Sequence, residues 1–161
     1  MVESSALPLP VSTPALSRAA GGRRIDRPTK QPPEENPMLY VAISRFDEAA
    51  VARLRGELPP AAFAYIDDAV HHQRLPSQTD IEAQGVPSGL AGVLAAHLKH
   101  LTELRGSGKL VSGGPCSGFA HAINIFEAGS PDEARTLHDA DPLARHGYFA
   151  VETIYPWQRV F

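Results

Sequence analysis

The sequence predicts an α+β fold in the order β-α-β-β-α-β, with a helical pair inserted after the first strand. Three observations carry this. Apolar residues recur at helical spacing over 90–104, whereas 39–46, 119–128 and 148–155 read as strands. The strands at 39–46 and 119–128 are apolar on both faces, so the sheet they build is covered on both sides. Ser130-Pro131-Asp132-Glu133 is a helix start, with Ser at the N-cap, Pro at N1 and Glu at N3 as a capping box. The resulting order is ferredoxin-like.

Residues 1–37 are rich in proline and poor in large apolar residues, and are expected to be a disordered extension. Four arginines among serines give them a loose likeness to a transit peptide. An uncleaved tail, or a start codon misplaced ahead of Met38, is the plainer reading. The first strand, 39–46, sets Leu39, Val41 and Ile43 on one face and Tyr40, Ala42 and Phe46 on the other. Asp47 caps a helix over 48–58, which Pro59-Pro60 stops. A second helix over 61–74 aligns Phe63, Ile66 and Val70, and 75–88 is a loop. This helical hairpin is expected to act as a lid or to extend a dimer interface. His71 and His72 lie in it, on different sides of the helix, which disfavours a shared metal.

The next helix carries Leu90, Leu94, Leu101 and Leu104 on one face, with His97 in the middle of that stripe. A polar ring at the centre of a buried face needs a hydrogen-bond partner. Gly106-Ser107-Gly108 ends the helix. A short strand follows at 109–113, then a turn at 115–118. In the strand 119–128, His121 and Asn124 interrupt opposite faces, so one of them is placed to look into a pocket. The helix after Ser130 buries Ala134 and Leu137 and ends at Asp141, because Pro142 disfavours helical geometry before it. The last strand spans 148–155, and 156–161 is an aromatic tail.

A chain of 161 residues with 43% apolar content is one globular domain with a tail. Its net charge of −3 offers no basic field for nucleic acid or anionic membrane. No run reaches the roughly 18 apolar residues of a membrane span. The single cysteine, Cys116, excludes an intramolecular disulfide and a cysteine-based zinc site, and fits a cytoplasmic location. As a nucleophile Cys116 competes with the simpler reading of a small loop residue. No metal-ligand constellation, phosphate loop or nucleophile elbow appears, so no cofactor and no metal are expected.

His97-Leu98, Gly108-Lys109-Leu110 and Gly114-Pro115, followed by Ala140-Asp141-Pro142, Gly147 and Pro156-Trp157, resemble in order and spacing the motifs of the YCII-related (YciI-like) proteins. Met38-Leu39-Tyr40-Val41 is similar to that family's N-terminus. The likeness covers 38–46 and 94–161, and the segment 47–88 departs from it. The resemblance implies a ferredoxin-like domain pairing into a dimeric α+β barrel, with a proposed catalytic His and Asp at His97 and Asp141. Related barrels act on cyclic or aromatic compounds, an analogy of fold only.

Two functions follow as expectations. The first is a cofactor-independent lyase or isomerase. In it, His97 is the general base that removes a proton from a cyclic or phenolic small-molecule substrate, and Asp141 is its orienting partner. His100, His121 and Asn124 are the candidate substrate-binding residues. The second is a non-catalytic ligand-binding or regulatory dimer, in which His97 and Asp141 only close a polar gap. A pocket beside His97 favours the first, and a filled core favours the second.

Overall fold

The computed structural model describes residues 38–160; the expectations placed on 1–37 and on Phe161 lie outside the described residues. Four strands, β1 (Met38–Phe46), β2 (Leu110–Pro115), β3 (His121–Ala128) and β4 (Phe149–Trp157), form one antiparallel sheet in the order β2-β3-β1-β4. Helices α1 (Glu48–Glu57), α2 (Pro60–His71), α3 (Gln78–Glu82) and α4 (Ser88–Gly106) lie between β1 and β2. Helices α5 (Pro131–Asp139) and α6 (Pro142–Arg145) lie between β3 and β4. With α4 and α5 as the two crossovers, the fold is ferredoxin-like.

Side-chain alternation sorts the sheet into a packed face and an open face. Tyr40, Ala42 and Ser44 of β1 are buried, as are Ala122, Asn124, Phe126 and Ala128 of β3. This face meets Leu101, Leu104, Ala134 and Leu137 of α4 and α5. Burying Phe126 alone is worth about 2–3 kcal/mol. The opposite face stays open: Val41 stands between Ile125 and Tyr155, and Ile43 between Ile123 and Thr153. Of these, Ile123 and Tyr155 are exposed, although the sequence leads one to expect both faces covered. A register shift in β4 opposite Ile43 and Ser44 leaves Glu152 as the extra residue. Glu152 accepts a hydrogen bond from Arg45 Nε at 2.7 Å.

A second core joins Ala62, Ile81, Val86, Leu90, Ala91, Leu94, Leu143 and Phe149, so α2, α3, α4, α6 and β4 share one apolar contact region. Three expectations need correction. Helix α2 ends at His71 rather than at 74, because Gln73 takes a left-handed φ of 54°. The stretch 75–88 is not all loop. It holds α3, started by a capping box in which Ser77 and Asp80 bond each other's backbone N–H. Ser77 also holds the Asp80 carboxyl below its ordinary value. Finally, β4 continues through Pro156 and Trp157, residues expected to be a tail. Strand β4 is an edge strand, where a proline's missing N–H removes no ladder bond.

Candidate active site

His97 reaches its position because α4 buries Leu90, Ala91 and Leu94 and half-buries Leu98, Leu101 and Leu104 around it. Asp141 stands between α5 and α6 with an extended ψ of 128°, as the residue before a proline should. Its Oδ1 accepts the Leu143 N–H at 2.8 Å and so caps α6. The same carboxylate takes up His97: Nδ1 lies 2.8 Å from Oδ1 and 2.9 Å from Oδ2. The Asp141 side chain is 5% exposed and that of His97 18%. A carboxylate only accepts, so Nδ1 carries the proton. Nε2 makes no hydrogen bond among the described residues.

His97 lines a cavity of about 430 Å³. Helix α4 contributes Leu94, His97, Leu98 and Leu101 to one wall, with Asp141 and Leu143 beside them. Helix α1 with Val51 and Leu54, its C-cap Leu58, and helix α2 with Phe63, Ile66 and Val70 form another wall. The sheet side comes from Phe46, Gly114, Pro115, Ala122, Asn124 and Phe149, and the turn before β3 adds Phe119. Phe63, Phe119, Phe46 and Phe149 follow one another edge to face, with centroids 6.2, 5.7 and 5.4 Å apart. Phe119 adopts a left-handed φ of 56°, a strained setting for an aromatic residue. Arg55 and Asp67 are the charged lining residues besides the His97–Asp141 pair, and Arg55 Nη2 donates to the Gly118 carbonyl at 3.0 Å. The volume lies in the range that takes a drug-sized ligand.

The structure separates the other candidates. Asn124 lines the cavity, is 9% exposed, and its amide forms no hydrogen bond among the described residues. Gly113 pairs with it across the sheet, and a Cβ there would come within 2.1 Å of the Asn124 Oδ1. A glycine at 113 therefore leaves room for the amide. His100 and His121 do not line the cavity. His100, one turn beyond His97, points to α5, where its Nε2 donates to the Leu137 carbonyl at 3.3 Å. His121 stands one strand position out of phase with the cavity-lining Ala122, on the open face with Arg45, and lies 3.4 Å from Glu152. His71 and His72 are exposed, and Cys116 is half-buried outside the cavity. Sequence reasoning missed His138. It is buried, and it follows Ala134 by four residues on the buried face of α5, which is the signal that could have found it.

Among the described residues, no helix is long and apolar enough to cross a membrane. No group of three His, Cys, Asp or Glu side chains there is placed to hold a metal ion.

Residues 38–158 match the model of the YCII-related domain. No curated protein matches the chain. Among solved structures, the 5-chloro-2-hydroxyhydroquinone dehydrochlorinase of Burkholderia phenoliruptrix AC1100, in complex with 2,5-dihydroxybenzoquinone, is 24% identical. The alignment covers 75% of this chain and 94% of that one, with a TM-score of 0.41.

Proposed function

For a chain that belongs to the YCII-related domain family, we propose a cofactor-independent enzyme of the lyase or isomerase type, acting on a small cyclic or phenolic substrate. The observation that carries the reading is the split in the His97 ring. Nδ1–H is held by a buried carboxylate, while Nε2 is left with a lone pair and without a partner among the described residues, on a residue that lines an apolar cavity.

Nε2 takes a proton from the substrate, and Asp141 stabilises the imidazolium that forms. The ring then returns the proton at another substrate atom, or holds it while a leaving group departs. Either course moves protons and electron pairs within the substrate, and needs a base rather than an electron carrier. The Asn124 amide is proposed to bond a polar substituent, since it lines the cavity and has no hydrogen-bond partner among the described residues. The α1–α2 pair is proposed to act as a lid, because six of its apolar residues line the cavity. The open sheet face is proposed to pack on a second copy of the chain.

The test is a turnover screen with substituted phenols, hydroquinones and cyclic ketones, run on the native protein and on His97→Ala. The expected result is turnover of at least one class, reduced about 10²–10⁴-fold in His97→Ala. Equal rates in both proteins would remove His97 as the base. Binding without turnover across the panel would favour a ligand-binding dimer instead.

A further inference from the structure

We infer that Ser44 and His138 are positioning residues, whose buried hydrogen bond fixes the end of α5 on the central sheet and thereby holds Asp141 against His97. The inference rests on the reading of His97 and Asp141 as the reacting pair. It is carried by atoms that this reading leaves unused.

Helix α5 buries only Ala134 and His138. Leu137 packs on the same core but stays half-buried, so His138 is the one large side chain that α5 buries fully. His138 is 2% exposed and Ser44 is fully buried. The Ser44 Oγ lies 2.6 Å from the His138 Nε2. The other ring nitrogen, Nδ1, is 2.9 Å from the Asp139 carboxylate, which only accepts. Nδ1 therefore carries the proton, and Nε2 accepts from the Ser44 hydroxyl. Both ring nitrogens are occupied and His138 does not line the cavity. It is thus no second base, in contrast to His97.

The pair serves geometry because of where it sits. Ser44 belongs to β1, a strand flanked by β3 and β4 and so held on both edges. The His138 carbonyl accepts the backbone N–H of Asp141 at 3.1 Å. One residue thus bonds the sheet with its ring and the reacting carboxylate's backbone with its carbonyl. An apolar side chain of the same size would bury as well but would tolerate sliding. A hydrogen bond has a preferred length and direction and resists it. On the far side, His138 stacks edge to face on Phe149, a cavity residue, with centroids 5.4 Å apart.

The experiment reads His97 directly, by nitrogen-15 NMR of the histidine rings in the full chain. Three variants are compared with the native protein: Ser44→Ala, His138→Phe and His138→Gln. None touches His97 or Asp141 side chains. A merely structural role would lower thermal stability and leave the His97 ring unchanged in the folded fraction. We expect Ser44→Ala and His138→Phe to shift His97 away from the Nδ1–H tautomer. We expect His138→Gln, whose amide oxygen can accept from the Ser44 hydroxyl as Nε2 does, to restore it. In a turnover assay the first two should lower kcat about 10- to 100-fold, as changes behind a working histidine do, with KM little changed. A native His97 spectrum in folded Ser44→Ala overturns the inference. If His138→Phe does not fold, Ser44→Ala decides alone, since it removes one oxygen atom. The NMR result stands apart from the assay: retained turnover in His97→Ala would end the proposed function, whereas the tautomer shift would still report whether Ser44 and His138 place Asp141.

Discussion

At the scale of the residue, two histidines separated by 41 positions show how a neighbour decides a role. His97 and His138 each give Nδ1–H to an aspartate, Asp141 and Asp139. His138 then spends Nε2 on Ser44 inside the core, whereas His97 Nε2, at a cavity, has no partner among the described residues. The first prediction follows from the carboxylate. In Asp141→Asn, one amide oxygen replaces two acceptor oxygens that now serve both His97 and the Leu143 N–H. If the amide NH₂ faces Nδ1, the ring must move its proton to Nε2, and the base is gone. Activity should fall about 10²–10⁴-fold. Chemical denaturation should show a loss of only about 1–3 kcal/mol. An unchanged rate would show that the carboxylate is dispensable. His97 was legible in the sequence because it interrupts an apolar stripe. His138 was not, because short α5 offers few apolar residues to define a stripe, and attention falls on Ala134 and Leu137.

At the scale of the element, the ends of strands and helices were read less well than their existence. Prolines misled most: Pro115 and Pro156 both lie inside strands, β2 and β4, and both strands are edges of the sheet. There the absent N–H faces no partner strand. The start of α5 was read from Ser130 and Glu133, and the structure changes one detail. Ser130 Oγ accepts the Glu133 N–H, but Glu133 turns its carboxylate to the Gly129 N–H at 2.7 Å and to Lys109 at 2.9 Å. The Gly129 bond, with Lys109 second, holds the Glu133 carboxyl below its ordinary value. A carboxyl lowered in the folded state adds stability above its unfolded value, and that addition is lost as pH falls through the lowered one. In Glu133→Gln the native protein's advantage should therefore be full at neutral pH and shrink on acidification below the ordinary glutamate range. Because the side chain is 40% exposed, solvent screening keeps the difference below about 1 kcal/mol. Paired melts at pH 7 and pH 3 check this; a gap that widens in acid would contradict it. For α2, Phe63 is half exposed yet packs on Phe119 across the cavity. Phe63→Ala should raise KM roughly two- to tenfold, the worth of one aromatic contact, with kcat nearly kept. A selective loss of kcat would make α2 part of the chemistry.

At the scale of the whole molecule, the open face of the sheet is the unresolved demand. Ile123 and Tyr155 are 41% and 55% exposed beside Val41, Ile43 and Ile125. Apolar strands facing water on this scale mark a contact surface. Sedimentation should give a homodimer at micromolar concentration, with an interface above roughly 1,200 Å² in total. Ile123→Glu should shift it to monomer while the circular dichroism stays native. A native monomer would end the proposal. The paired faces could be read from strand alternation, but no single chain's sequence states what lies against the second face. The cavity carries a different consequence. The side chains proposed to handle the proton stand on α4 and before α6, while α1, its C-cap and α2 add six apolar residues and none of the proposed reacting atoms. Inheritance can therefore tinker with the two halves separately. On the proposed function, random changes at Val51, Leu54, Leu58, Phe63, Ile66 and Val70 should alter which molecules are admitted and leave the proposed reacting pair unchanged. A directed-evolution library confined to those six positions is the natural place to look for new substrates.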